Sequence, residues 1–207
     1  MTPQATFESS LFTLRWSFEL DPGDDARAVP PSAKLRYEVE AREEVYLADR
    51  LWDYDPKGRR VPDPRGVYRF VRGRSLRLVF WQAPRPPGLQ LRVVYTPLFS
   101  RVRAGETLRK EVAVGLPVDE YSSLARDVGS PTEVVLATQV ALVLGYHLRS
   151  KMPADPKPPL NESPEEAGYI VRDPWRLVSI AESPPIPVRR RLGEIPRPVL
   201  PGDEPAT

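Results

Sequence analysis

Proline is the residue that most constrains what this chain can fold into, because it cannot donate a hydrogen bond to a neighbouring strand and is excluded from central strands. The 207 residues include 26 prolines, and half of these lie between Pro153 and Pro205. The other half lie between segments in which apolar and polar residues alternate. The proline positions therefore predict a body of short strands followed by a long segment that is mostly loop or extended coil.

Residues 34–42 are the clearest predicted strand. Leu35, Tyr37, Val39 and Ala41 share one face, and charged residues occupy the other. A shift of one residue would bury four charges, so the register of this strand is strongly specified. The same alternation predicts strands at residues 8–20, 45–52, 67–71, 76–81, 89–95, 108–116 and 175–181.

Two further segments permit more than one structure. Residues 119–128 have acidic residues at their start and Gly129 after their end, which predicts a helix of one or two turns. Residues 134–148 are long enough for a helix. Their β-branched content and their position after a series of predicted strands favour a central strand that is apolar on both faces.

Composition excludes several classes of protein. The absence of cysteine excludes a disulfide scaffold and a thiolate zinc site. A formal charge of +2 gives no general attraction to nucleic acid or to acidic membranes. The N-terminus has no signal-peptide pattern, and the most apolar run is shorter than the ~20 residues that span a bilayer. We therefore expect a cytoplasmic protein without membrane insertion, and the excess of arginine over lysine favours a bacterial source.

The residues that usually carry catalysis are few. His147 is the one histidine, and it lies inside the apolar run, where a packed strand residue is expected. The sequence contains no nucleophile elbow, phosphate-binding loop or dinucleotide fingerprint. We accordingly assign no catalytic residue, no metal site and no cofactor.

Two pairs of segments carry a family resemblance. Residues 35–41 followed by 45–52, and residues 103–108 leading to 114–118, together resemble immunoglobulin-like sandwich domains of bacterial cytoplasmic and envelope proteins. The resemblance covers about residues 7–150. It implies an immunoglobulin-like antiparallel β-sandwich, and it implies no activity because fold does not determine function. Together with the proline positions, this predicts an all-β fold: an immunoglobulin-like antiparallel β-sandwich with a proline-rich C-terminal extension.

The C-terminal part of the chain divides into three predicted segments. Residues 152–168 are expected to cross the body as an irregular proline-rich loop. A strand near 175–181, anchored by Trp175, then returns to complete a sheet edge and closes a sandwich domain of residues 1–183. Residues 184–207 are expected to form an extended proline-rich tail.

The first functional hypothesis is a non-catalytic interaction or accessory module with a protein partner. Binding would use a sheet edge, the C-terminal segment, or both, since a polyproline stretch loses little entropy on docking. A solvated tail without a partner is an equal alternative reading of the segment. The candidate binding residues are Pro184, Pro185, Pro187, Arg189, Arg190 and Arg191.

Two other functions remain as alternatives. A carbohydrate-binding or small-ligand module would use exposed aromatic rings at Trp52, Tyr54, Tyr68 and Trp81. A hydrolase would use paired carboxylates, for which the candidates are Asp24 with Asp25, Glu43 with Glu44, and Glu165 with Glu166.

Overall fold

The computed structural model describes residues 2–50, 52–54, 60–62, 66–80, 98–120, 132–148, 169–170 and 175–191. Within these ranges the chain forms strands and a single turn of 3-10 helix at Asp25–Arg27. The all-β prediction is therefore confirmed. The strands are β1 (Gln4–Glu8), β2 (Phe12–Asp21), β3 (Ser32–Ala41), β4 (Val45–Arg50), β5 (Trp52–Tyr54), β6 (Arg60–Pro62), β7 (Tyr68–Arg72), β8 (Ser75–Val79), β9 (Leu98–Val102), β10 (Thr107–Gly115), β11 (Val118–Asp119), β12 (Thr132–Leu148), β13 (Tyr169–Ile170) and β14 (Trp175–Arg191).

Two main sheets make up the fold. The smaller sheet is fully antiparallel and has the order β1-β2-β3-β10. The larger sheet has the order β11-β14-β12-β4-β9-β13, and β8 also pairs with β12 and with β7. Strands β5 and β6 form a separate two-stranded ladder.

The main apolar core lies between the two sheets. The predicted inward set of β3 is confirmed, because Leu35, Tyr37, Val39 and Ala41 are all buried. They pack in one cluster with alternate residues of β2, β4, β8, β12 and β14. Alternation along each strand thus directs one face of each sheet into a shared core, as the spacing of the sequence predicts.

Two of the points at which the chain passes between the sheets are neighbours. Strand β3 leads into β4 through residues 42–44, and β9 leads into β10 through a turn that contains Gly105 at a φ of +80°. The two crossings are joined, since Gly105 N donates to Ala41 O at 2.8 Å and Ala41 N donates to Glu106 O at 3.0 Å. The turn is closed by Glu106 N, which donates to Arg103 O at 3.0 Å.

Strand β12 is the central element of the larger sheet. It pairs with β14 along one side, and with β8 and β4 in succession along the other. The strand interpretation of residues 134–148 is thus confirmed over the helical alternative. Ala141 and Leu142, which point to opposite faces, are both 0% exposed.

The C-terminal boundary differs from the prediction. The returning strand begins at Trp175 as expected, but it continues past Ala181 to Arg191 and is paired with β12 over that length. Pro184, predicted as the first residue of a tail, therefore lies inside β14. An edge strand needs ladder bonds on one side only, so it tolerates prolines that a central strand would exclude.

The prolines of β14 coincide with an irregularity. The ladder shifts register between the Ala137–Ile186 pair and the Gln139–Glu182 pair, so residues 183–185 form a bulge. Residues 152–168 and 192–207 lie outside the described residues.

Not all of the pairing is antiparallel, which corrects the expected sandwich. Strands β8 and β12 are parallel, and so are β11 and β14. Each of these pairs is joined by a long connection, so no hairpin enforces antiparallel order. Strands β1 and β9 were not predicted, whereas residues 89–95 and most of the helix predicted at 119–128 lie outside the described residues. In the part of the chain that is described, no helical segment has the length and apolarity needed to cross a membrane.

Candidate functional site

Four large apolar side chains lie on the solvent face of the β12–β14 pair. Val134 is 58% exposed and Leu136 is 61% exposed on β12, and Val178 and Ile180 on β14 are 42% and 49% exposed. We call these four residues the outer strip. Large apolar side chains held in the open on regular strands are typical of an interaction surface.

Packing beneath β14 determines which of its residues form the outer strip. Leu177 and Ser179 point into the protein and are buried, so Val178 and Ile180 must point away from it. The indole Nε1 of Trp16 donates to Ser179 Oγ at 2.9 Å, which ties β14 to the smaller sheet. This buried bond holds the outer strip in a fixed orientation.

Polar side chains lie within the outer strip and at one end of it. Gln139 donates to Glu182 Oε1 at 2.7 Å between Ile180 and the bulge. At the far end, Arg189 contacts Asp119 at 2.8 Å. The outer strip therefore consists of two apolar pairs, Val178 with Ile180 and Val134 with Leu136, and the Gln139–Glu182 hydrogen bond and the bulge lie between them.

The residues predicted in the C-terminal segment lie on β14, but its described arginines are engaged within the chain. Arg189 binds both carboxylate oxygens of Asp119, and Arg190 contacts Glu120 at 2.8 Å. Pro184 belongs to the bulge, and Pro187 pairs with Leu136. Only the backbone of Arg191 is described, and it pairs with Thr132.

Of the four aromatic residues in the ligand-binding alternative, Tyr68 is the one whose side chain is described. Tyr68 is 6% exposed and packs in a second apolar cluster with Phe99 and Val143, so it presents little ring surface to a ligand. Trp52 and Tyr54 lie in β5, and their side chains are outside the described residues, as is Trp81.

In each of the two described pairs of the hydrolase alternative, one carboxylate has a structural contact. Asp24 caps the 3-10 turn by accepting from the backbone nitrogens of Ala26 and Arg27. Glu44 accepts from Tyr46 and from Arg101. Glu165 and Glu166 lie outside the described residues. Among those that are described, no three carboxylate or histidine side chains are grouped as a metal ion would require.

His147 is a packed residue of β12, as expected. It is 7% exposed, and its ring lies 5.8 Å from that of Phe99 and 6.3 Å from that of Trp175. Trp175 also contacts Tyr146 edge to face at 5.6 Å. Trp175 is 41% exposed, and its ring packs against these two residues of β12, so its role as an anchor stays a prediction.

The outer face of the smaller sheet carries an open groove with a volume of about 830 Å³. Its charges are paired with each other: Arg109 contacts Glu38 at 2.6 Å and Arg36 contacts Glu111 at 2.8 Å. The hydrogen bond from Arg109 lowers the pKa of Glu38, and that from Arg36 lowers the pKa of Glu111. A ligand would have to displace these ion pairs, so we assign none to the groove.

Three polar side chains, Lys110, Asp49 and Tyr37, lie together between the two sheets. Lys110 Nζ is 3.2 Å from Asp49 Oδ2, and the Asp49 side chain is 1% exposed whereas that of Lys110 is 34% exposed. Burial, and then the charge of Asp49, raise the pKa of the neighbouring Tyr37 well above its ordinary value. The Tyr37 phenol therefore stays protonated at neutral pH, and the group contributes to structure without presenting a nucleophile.

Sequence reasoning missed the outer strip. The alternation at residues 175–181 showed two faces, but it did not show which one was buried. Val134 and Leu136 were predicted as buried because their strand is central, yet only the later part of β12 is covered on both faces. Arg176, Val178, Ile180 and Glu182 lie on the same face of β14, with the two charged residues at its ends. The charged residues were the one indication in the sequence that this face is exposed to solvent.

No family model, curated protein or solved structure matches this chain.

Proposed function

We propose that this protein is a non-catalytic interaction module that binds a protein partner through the outer strip. The observation that carries the proposal is the exposure of Val134, Leu136, Val178 and Ile180 on two paired strands. The proposal includes the immunoglobulin-like character and the cytoplasmic location suggested by the sequence.

Burial of the outer strip would supply the driving force. Removing apolar surface from water contributes about 25 cal/mol per Å², and fully burying one aliphatic side chain contributes about 1.5–3 kcal/mol. The four side chains are mounted on paired strands, so little backbone entropy is lost when a partner covers them. A partner with a complementary apolar patch fits this surface.

The proposal also unites the two routes suggested by the sequence. A sheet edge and a proline- and arginine-bearing segment were separate candidates, but both belong to β14. The interaction surface is therefore a strand of the folded body rather than an extended tail.

Binding can be tested by placing a charge in the outer strip. The wild-type protein is used to capture partners from host lysate, and each captured protein is identified, purified and titrated with the wild type and with Leu136→Lys. Leu136→Lys is expected to weaken binding of the purified partner at least tenfold, since a lysine cannot be buried against an apolar patch without a counter-charge.

Ala113→Lys is the matched control. Ala113 is exposed on β10 in the smaller sheet, so the variant adds the same charge on the opposite side of the fold. Its affinity for the purified partner should equal that of the wild type. Equal affinities for Leu136→Lys and the wild type would show that the outer strip is not the binding surface.

A further inference from the structure

Strand β14 is an edge along most of its length. It pairs with β12 on one side, and on the other it pairs only at Val188 and Arg189, with β11, among the described residues. Strand β1 lies near β14 in the smaller sheet but shares no ladder with it. Such an edge offers backbone donors and acceptors to another strand, and natural proteins usually guard or cover it.

The sequence guards only part of this edge. The later half of β14 lacks backbone N–H donors at Pro184, Pro185 and Pro187. Pro174 lies directly before its first residue. Residues 175–183 between these prolines contain none. The midpoint of that proline-free window is Ser179.

The window is self-complementary about its midpoint. Consider two antiparallel copies of β14 centred on Ser179. A residue that lies n positions before Ser179 in one copy then faces the residue that lies n positions after Ser179 in the other copy. Val178 then lies opposite Ile180 of the second copy, and Arg176 lies opposite Glu182 of the second copy. All four side chains share the solvent face of β14, so the apolar pairs and the opposite charges meet on one surface.

We propose that β14 pairs with β14 of a second copy of this chain, antiparallel and about a twofold axis at Ser179. Twofold symmetry makes every contact occur twice, so the arrangement contains two Arg176–Glu182 pairs and two Val178–Ile180 pairs. Both charged residues are exposed, and Glu182 keeps its contact with Gln139 on its own chain. The larger sheets of the two copies become one continuous sheet, and their outer strips lie side by side.

This inference names one partner for the proposed interaction module, and it rests on that proposal only in treating β14 as an interaction element. The dimer needs no other protein on the outer strip. A dimer that persists in Leu136→Lys supports the pairing, because position 136 lies outside residues 175–183. A chain that captures a partner through the outer strip but stays monomeric overturns the self-pairing and leaves the proposed function intact.

Disulfide cross-linking tests the register directly. The full chain has no cysteine, so the double variant Val178→Cys/Ile180→Cys introduces the only thiols. Opposed residues in antiparallel strands are about 4.5–5.5 Å apart between Cα atoms, which lies within the span of about 4.4–6.8 Å that a disulfide bridges. Oxidation should therefore yield a covalent dimer, visible on a non-reducing gel.

The two single variants are the matched controls. Val178→Cys alone and Ile180→Cys alone each place a thiol opposite an aliphatic side chain, so neither should cross-link efficiently. Failure of the double variant to cross-link, or equal cross-linking by a single variant, overturns the proposed register.

A charge exchange tests the same pairing without a covalent bond. Arg176→Glu or Glu182→Arg alone converts both attractive pairs into repulsive ones, and the dissociation constant of the dimer at low salt should rise about tenfold or more. The double variant Arg176→Glu/Glu182→Arg restores opposite charges and should return the constant to within about threefold of the wild type. Sedimentation equilibrium measures all four proteins, and a double variant as weak as the singles overturns the pairing.

Discussion

Replacing Ser179 by alanine tests how β14 is joined to the rest of the protein. The change removes one oxygen, which accepts the hydrogen bond from Trp16 Nε1 at 2.9 Å. Trp16 is 4% exposed and Ser179 is 8% exposed, so water has little access to the indole N–H once its acceptor is lost. The variant therefore buries a donor without a partner between the two sheets.

The expected loss of stability follows from that geometry. A buried donor left without an acceptor costs about 1–3 kcal/mol, and we expect Ser179→Ala to lower the free energy of unfolding by about 2 kcal/mol. For a chain of this length, each kcal/mol shifts the melting temperature by roughly 2–4 °C, so Tm should fall by about 4–8 °C. Trp16→Phe removes the donor as well, so the double variant should be less destabilised than the sum of the two singles.

Urea denaturation followed by circular dichroism, at one fixed protein concentration, measures these differences. Ser17→Ala is the control, because Ser17 neighbours Trp16 on β2 but points to the opposite face of the smaller sheet. A Ser179→Ala protein within about 0.5 kcal/mol of Ser17→Ala would refute the argument that this bond holds β14 against the smaller sheet.

Two further predictions concern ionised groups. Lys110→Met removes the cation beside the buried Asp49 carboxylate and should lower the free energy of unfolding by about 2 kcal/mol. This value is smaller than that of a fully buried ion pair because Lys110 is partly exposed to solvent. Lys34→Met, on the solvent face, should cost less than about 0.5 kcal/mol, and equal losses in urea denaturation would contradict the prediction. The lowered pKa values of Glu38 and Glu111 mean that their ion pairs stabilise the fold at neutral pH, and that this stability is lost as the pH falls below the ordinary value of 4.5. The melting temperature of Glu38→Gln/Glu111→Gln should therefore lie below that of the wild type at neutral pH and approach it in acid. A difference in melting temperature that does not change with pH would contradict a stabilising role for these two ionised carboxylates.

The sequence predicted the strands of the body well, because strand formation there depends on local alternation. The β3 segment shows this most clearly: each of its predicted inward residues is buried, and its charged residues form ion pairs on the solvent face. A register shift would have buried those charges, so few alternatives were open to this segment.

Local pattern predicted the later part of the chain less well. The prolines after Ala181 indicated a tail because proline is excluded from central strands, but the same residues are tolerated in an edge strand with a bulge. Whether a strand lies at an edge depends on its neighbours in space, and proline spacing carries no information about them.

In the candidate site, too, some properties follow from the sequence alone and others from the fold. The order of Arg176, Val178, Ile180 and Glu182 is a property of the sequence, and it already contains the self-complementarity on which the proposed pairing rests. The orientation of that face toward solvent is a property of the fold, because it follows from the burial of Leu177 and Ser179.

The sequence by itself determined that this protein is built from strands, which residues alternate along them, and where prolines interrupt them. Only the tertiary structure decided which strands became neighbours, which pairs ran parallel, and which face of β14 was covered. Alternation and turn chemistry act between residues close in the chain, so a single sequence displays them directly. Sheet order and burial are set by contacts between distant segments, such as Trp16 with Ser179, and these exist only once the chain has folded.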